Sequence, residues 1–430
     1  MASEAPGKKS LLTGFFLHLH PRTIPEETLR FRLSFGLGGM AATLFATMVL
    51  TGVLQVMLYS SHTESAYQSI QQMYDDNSFG GFIRNIHFWA GNLLVVIAFL
   101  HLLRVYLTGA LGQTRRLNWI VGLIVFLLIL FSNFTGYLLP WDQLAYWAVT
   151  IFTNMTSYIP FIGDWLSETL RGGKEVGLPT LANFFAIHVG ILPGLLLVLL
   201  IFHFWMIRKA GGLVLVQTDQ ARETTRVTSV PNLIQREAAV GLGLLALLFT
   251  FSALVDAPLA DQANPGQSPN PAKAAWYFMG LQELLLHLNP TVAICIVPGM
   301  IFLSLALIPF CREAVLPPGQ WFGGKRGINL ALWSLVGGFF ATLLGVVGDE
   351  KLFRLSAAVT NNTTWLTRGA LPLAAGIFLL FLLFMFLRKR HYTRAEALMS
   401  LVIVSIASIL GLTTVGIWFR GPGMILSLPF

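Results

Sequence analysis

A chain of 430 residues with 55% aliphatic, aromatic and cysteine residues and only 11% charged ones cannot cover its surface in water; soluble proteins carry about 25% charged residues. Its mean hydropathy is +0.69. Composition excludes a soluble enzyme, and in a polytopic protein the net charge of +8 records topology, not a nucleic-acid partner.

Nine apolar runs of bilayer length follow one another, at 33–58, 84–107, 117–138, 183–207, 237–255, 291–310, 327–348, 369–387 and 397–419. They read as an all-α integral membrane protein, not a peripheral enzyme with one anchor or an outer-membrane barrel. Residues 1–32 form a polar N-terminal segment of mixed charge that does not read as a cleavable signal. Arg115, Arg116, Arg208, Lys209, Arg312, Lys325, Arg326 and Arg388–Arg390 fall in alternate loops. Asp75, Asp142, Asp164, Asp256, Asp261, Asp349 and Glu350 fall in the others. Positive residues stay in the cytoplasm, so the N-terminus is expected inside and the C-terminus outside, in a bacterial cytoplasmic membrane. The organisation expected is a four-helix core at 33–207, a cytoplasmic linker at 208–236, three helices within 237–348, and two more with an outer tail in 349–430. The outer loop 139–182 carries an amphipathic, aromatic-rich stretch. Cys295 and Cys311 read as packing residues, and the Asn361-Asn362-Thr363 sequon as chance.

Four of nine histidines lie inside spans: His87 and His101 in the second, His188 and His203 in the fourth. Intramembrane imidazoles are costly and mark function. The pairs are fourteen and fifteen residues apart, about 21 to 23 Å along a helix. Both spans run from outside to inside, so His87 meets His188 at one depth and His101 meets His203 at another. Two bis-imidazole sites stacked across the membrane suit two b-type haems used for electron transfer. The bland alternative is four hydrogen-bonding histidines or a proton relay in a transporter. Gly38 and Gly52, and Gly122 and Gly136, repeat the fourteen-residue interval, which suggests room for porphyrin edges between helices. Arg84 and Arg104, three residues from a histidine, are candidate partners for haem propionates, or else interfacial anchors.

The residues Arg84-Asn85-Ile86-His87, His101-Leu102-Leu103-Arg104, the run from Gly136 to Trp147, and His188 with His203 and Met206-Ile207-Arg208-Lys209 resemble the cytochrome b family of quinol–cytochrome c reductases. Residues 30–212 are similar throughout. The fifteen-residue gap resembles the plastid and cyanobacterial form, and spans five to seven resemble that form's subunit IV, fused here through the linker. The resemblance implies a quinol-oxidising site on the outer side, walled by Pro140-Trp141-Asp142-Gln143 and Trp276-Tyr277-Phe278. It further implies a quinone site near the inner surface, coupled proton translocation, a Rieske-type iron–sulfur partner, a mono- or multihaem c-type cytochrome, and a homodimer. Menaquinone is among the quinones compatible with it.

Two departures stand out. The family's Pro-Glu-Trp-Tyr motif is Ala274-Ala275-Trp276-Tyr277 here, and alanine has no general-base capacity. Glu283 and Asp142 are the candidate replacements. The cysteine that attaches an extra haem in the plastid form is replaced by Gly36, so no covalent haem is expected there. The missing glutamate keeps open a membrane conduit that passes electrons in a single line without splitting them. His18 and His20 read as surface residues, or as proton carriers to the inner site.

Overall fold

The computed structural model describes residues 21–75, 78–212, 214, 225–353 and 365–427. His18, His20 and the sequon at Asn361 lie outside them. The helices are α1 Leu37–Val56, α2 Ala66–Asp75, α3 Ser78–Leu107, α4 Arg116–Tyr137, α5 Gln143–Thr156, α6 Gly163–Arg171, α7 Leu178–Lys209, α8 Ser229–Leu254, α9 Met279–His287, α10 Val292–Phe310, α11 Lys325–Gly348, α12 Leu366–Lys389 and α13 Arg394–Trp418. Among the described residues nine of these are long and apolar enough to span a bilayer, namely all but α2, α5, α6 and α9. The chain is an all-α integral membrane protein. Leu50, Leu247, Trp333 and Leu344 project from the spans and are each more than two-thirds exposed, as a lipid-facing surface requires.

The expected linker at 208–236 differs in the structure. Residues from Ser229 onward already belong to α8. Ahead of it, Arg226–Thr228 pairs antiparallel with Thr23–Pro25 from the N-terminal segment, with Ile24 opposite Val227. Three-residue strands carry no periodic signal, which is why the ribbon was not foreseen. The outer loop 139–182 resolves into the amphipathic pair α5 and α6, which pack on each other. Asp142 caps α5 by accepting the Ala145 N–H at 2.8 Å.

Among the described residues three spans contain a π-turn followed by a proline, at Ile187–Ile191, Val292–Ile296 and Leu366–Ala370, and a fourth π-turn, Asp349–Phe353, continues α11 without one. Each of the first three lies two residues before its proline, Pro193, Pro298 or Pro372. Proline donates no N–H and its ring crowds the carbonyl four residues back, so the helix widens there instead of breaking.

Helices α1, α3, α4 and α7 form one bundle, with α3 packed on both α1 and α4 and α7 on α4. Leu44, Ala90, Leu94, Val125 and Leu196 fill its centre. The second half packs against it at the inner end, where Tyr106, Leu107 and Leu123 share a buried cluster with Ile308, Leu330 and Met399. Trp119 Nε1–H donates to Leu305 O across this seam at 2.7 Å.

Candidate functional site

The four span histidines meet in pairs between α3 and α7, as their depths require. His87 and His188 have ring centroids 6.2 Å apart with planes at 76°. A metal–imidazole bond of roughly 2 Å, plus about 1 Å from nitrogen to ring centre, gives roughly 6 Å between two axial imidazoles. The separation therefore fits one iron between the rings. His101 and His203 line a common cavity with Gly38, Gly122, Arg104 and Asn118.

The unequal spacing has a local cause. One pair is separated by fourteen residues on a regular helix, the other by fifteen on a helix containing the π-turn Ile187–Ile191. A π-turn takes up one extra residue. His188 therefore keeps the phase relative to His203 that His87 has to His101. Pro193 is the sequence signal that announces it.

Hydrogen bonds set the outer rings. The Thr51 hydroxyl donates to Thr47 O at 2.8 Å and so accepts from His87 Nδ1–H at 2.9 Å. His188 Nδ1–H is directed at Ser132 O, 3.0 Å away, and at the Thr135 hydroxyl, 3.1 Å away. Tying down Nδ1 fixes the tautomer and leaves Nε2 of each ring with a lone pair available for a metal. Thr51 and Thr135 were missed in the sequence, because a hydroxyl in an apolar helix ordinarily bonds its own backbone, and Ser132 because it acts through its backbone carbonyl.

All four glycines face a histidine, one each. A β-carbon would stand 3.1 Å from His87 Cε1 at Gly52, 3.2 Å from His101 Cε1 at Gly38, 3.6 Å from His203 Cε1 at Gly122, and 2.5 Å from His188 Cε1 at Gly136. The expected reason for them was room for porphyrin edges. The clearance in the structure is for the imidazoles themselves, so each glycine backs one histidine ring.

The two arginines divide. Arg104 is buried, its Nε–H donates to Leu33 O at 2.7 Å, and its Nη2 has no partner among the described residues. It lines the inner cavity, where an orphaned guanidinium nitrogen fits a haem propionate. Arg84 is spent differently. Its Nη1 donates to Tyr74 Oη at 2.6 Å and Ala257 O at 2.8 Å, and its Nη2 to Pro258 O at 2.9 Å. This guanidinium clamps α2 and the irregular segment after α8 to α3.

At Gly36 the backbone is left-handed (φ +67°), as is Phe35 before it (φ +50°), and a β-carbon would sit 3.1 Å from Val240. The position is shaped for glycine.

On the outer side the two expected walls converge. Trp141 packs in one apolar cluster with Tyr277 and Phe278, and Phe278 meets Phe134 at a ring separation of 5.5 Å. Pro140 stands between Leu139 and Trp141, where Leu139 O accepts from Tyr59 Oη at 2.7 Å. The Tyr277 hydroxyl is buried with no partner among the described residues. Trp276 Nε1–H donates to Asn92 Oδ1 at 2.7 Å. Asp142 is buried beside this cluster, and its Oδ2 accepts from Ala260 N at 2.9 Å. Burial pushes its carboxyl above the usual carboxylate range, against the opposing pull of the Ala145 and Ala260 N–H groups and the Arg84 charge.

Glu283 is placed elsewhere. Its eight-residue distance from Ala275 does not run along one helix, because Ala275 is extended and a single 3-10 turn at Trp276–Phe278 precedes α9. The carboxylate turns toward α13, where Arg420 Nε donates to Oε2 at 2.9 Å and His287 Nε2 lies 3.1 Å from Oε1. Burial works against its charge, yet the hydrogen bonds and charges of His287 and Arg420 hold its carboxyl below the usual range.

The chain matches the family model Cytochrome b/b6/petB over residues 26–211. It is 41% identical over 175 residues to cytochrome b6 of Prochlorococcus marinus (strain MIT 9303), and to that of Synechococcus sp. (strain WH7803); each alignment covers 41% of this chain and 80% of the relative. Among solved structures, a chain of a hyperthermophilic respiratory Complex III shares the fold over 89% of this chain and 91% of its own, with a TM-score of 0.63 and 21% identity. That likeness of fold extends through the second half, beyond the reach of the family model. Paired histidines backed by glycines, on a chain with these relatives, identify a multi-pass membrane protein of the cytochrome b family, whose b-type haems are held by histidines.

Proposed function

We propose that this chain is the quinol-oxidising membrane subunit of a bc-type quinol–cytochrome c reductase, with two b haems, a Rieske-type partner, a c-type cytochrome acceptor and a dimeric complex. The observation that carries this is the pair of bis-histidine sites at two depths between α3 and α7. When bound, the haems supply one-electron carriers on either side of the membrane, where each electron moved against 100 mV is worth about 2.3 kcal/mol.

The residues of the chain do the rest. His87 with His188, and His101 with His203, hold the haems, and Arg104 neutralises a propionate on the inner side. The aromatic walls at Trp141 and at Trp276–Phe278 bind the quinol ring and exclude water. Tyr277 offers its unpartnered hydroxyl to a quinol oxygen. Asp142, with its raised carboxyl pKa, takes a quinol proton at Oδ1 or Oδ2 in place of the missing motif glutamate. Glu283, engaged with Arg420, is the weaker acceptor.

Ala275 favours a second reading, in which the chain passes quinol electrons in a single line. One experiment separates the two. The isolated complex receives quinol with the inner quinone site inhibited, and an oxidant is added. Transient reduction of the b-type absorbance supports splitting of quinol electrons at one outer site. Oxidation alone supports the linear conduit, and a colourless preparation overturns both in favour of a proton-linked transporter.

A further inference from the structure

The last two spans reach beyond the pattern expected of subunit IV, and composition gives them no role. In the structure the outer end of α13 meets the quinol-site segment through a buried ionic cluster. Arg420 and Glu283 have fully buried side chains. Arg420 Nε donates to Glu283 Oε2 at 2.9 Å and to Oε1 at 3.1 Å, and its Nη2 also donates to Oε1. Its Nη1 donates to Glu350 Oε1 at 2.6 Å and to Met424 O at 2.9 Å. His287 bridges Glu283 and Asp349, with its Nδ1 2.6 Å from Asp349 Oδ2. Three carboxylates from α9 and the end of α11 thus surround one guanidinium and one imidazole.

The same stretch of chain holds the segment ahead of Trp276. Lys273 Nζ donates to Ile417 O at 2.7 Å, and Gly423 N–H donates to Asn270 Oδ1. Gln282, next to Glu283, accepts from Ala274 N at 2.7 Å and donates to Ala272 O at 2.7 Å. Helices α9 and α13 approach closely, because a β-carbon at Gly416 would stand 3.2 Å from Met279 Cε, and one at Gly280 3.1 Å from Ile409 O.

We propose that Arg420 is a positioning residue for the outer quinol site. It fixes α9 through Glu283, and α9 together with residues 417–423 fixes the Asn270–Ala275 segment from which Trp276 and Tyr277 project. Two features make the arrangement sensitive to this residue. The arginine is a planar fork matched to a carboxylate, which lysine reproduces only as a point charge. Its removal leaves a carboxylate buried without its main partner, which drives local rearrangement of α9. The haem-bearing helices α1, α3, α4 and α7 contribute no residue to the cluster, so haem binding and quinol positioning separate cleanly. The last span then has a function: its end braces the wall of the site that lacks the motif glutamate.

The proposal rests on the function proposed above, and the test keeps the two apart. Arg420→Met, Arg420→Lys and the double variant Glu283→Gln/Arg420→Met are made in the intact complex. Each is assayed for b-type absorbance per chain and for KM and kcat with a short-chain quinol. Arg420→Met is expected to keep its haem and raise KM by on the order of ten- to a hundred-fold, since a misplacement of about 1 Å costs about that much. Arg420→Lys is expected to recover part of this. The double variant, which removes the Glu283 carboxylate's charge together with its main partner, is expected to keep haem and a raised KM. Unchanged kinetic constants in Arg420→Met at full haem content overturn the proposal. So does a loss of activity that only parallels loss of haem in both Met-bearing variants, which marks a merely structural role. Absence of quinol oxidation by the haem-loaded wild type overturns the function itself, and this proposal with it.

Discussion

Gly136→Ala is the sharpest perturbation of the outer haem site. The added methyl would stand 2.5 Å from His188 Cε1, 3.0 Å from Nε2 and 3.2 Å from Nδ1. An ordinary carbon contact is about 3.5 Å or more, so the ring must retreat by about 1 Å. It cannot do so freely, because Nδ1 is directed at Ser132 O and the Thr135 hydroxyl, and a metal–ligand bond tolerates about 0.2 Å. Overpacking on this scale costs about 1–3 kcal/mol, a roughly 5- to 150-fold loss in haem affinity. The companion substitutions grade the effect. Gly52→Ala and Gly38→Ala meet their rings at 3.1 and 3.2 Å and are expected to be milder, and Gly122→Ala, at 3.6 Å, close to neutral. The assay is haem per chain by reduced-minus-oxidised absorbance, with a redox titration to tell the two sites apart. Full haem occupancy with an unshifted potential in Gly136→Ala, or equal damage from Gly122→Ala, would refute the argument.

Other consequences are open to direct measurement. Arg104→Leu removes a buried positive charge from the inner cavity and is expected to lower the inner haem potential by on the order of 50 mV, roughly 1 kcal/mol, leaving the outer one in place; equal shifts at both sites would contradict the assignment. Asp142→Asn keeps an acceptor for the Ala145 N–H but cannot take a proton, so quinol oxidation is expected to fall about a hundredfold or more at unchanged haem content. Wild-type turnover from that variant would remove Asp142 from the mechanism. Burial works against a charged His287, yet bonding to Glu283 and Asp349 and their charges raise its pKa above the ordinary 6.5. Its contribution to stability is therefore complete below pH 6.5 and lost as pH rises through the raised value. Glu283, lowered from 4.5, contributes above that pH and loses its contribution as pH falls through the depressed value. The difference in thermal midpoint between wild type and His287→Gln should accordingly shrink from pH 6.5 upward; a difference that grows would show that the sign is wrong.

The spans and the paired intramembrane histidines were legible in the sequence because both are local contrasts, apolar length against polar loops and imidazole against hydrocarbon. The fourteen-residue periodicity carried depth and face together, so the histidines paired as read. What escaped has a physical reason in each case. The one-residue mismatch between the pairs is absorbed by a π-turn that Pro193 signals but periodicity ignores. The role of Arg84 depends on Ala257 and Pro258, distant in sequence, which claim the guanidinium nitrogens expected to face a propionate. Glu283 follows Ala275 by eight residues, but helical spacing does not relate the two, because α9 starts later, after a 3-10 turn. Nothing near His287 in the sequence announces Asp349 or Arg420, which it meets only in the fold.

Haem stoichiometry with site variants is the most direct test of two bis-histidine haem sites in one chain. The purified complex should hold two b-type haems per copy of this chain, titrating at two potentials. His188→Leu should remove only the outer one and His203→Leu only the inner one. A single haem per chain, or loss of the same haem in both variants, would contradict the stacked arrangement.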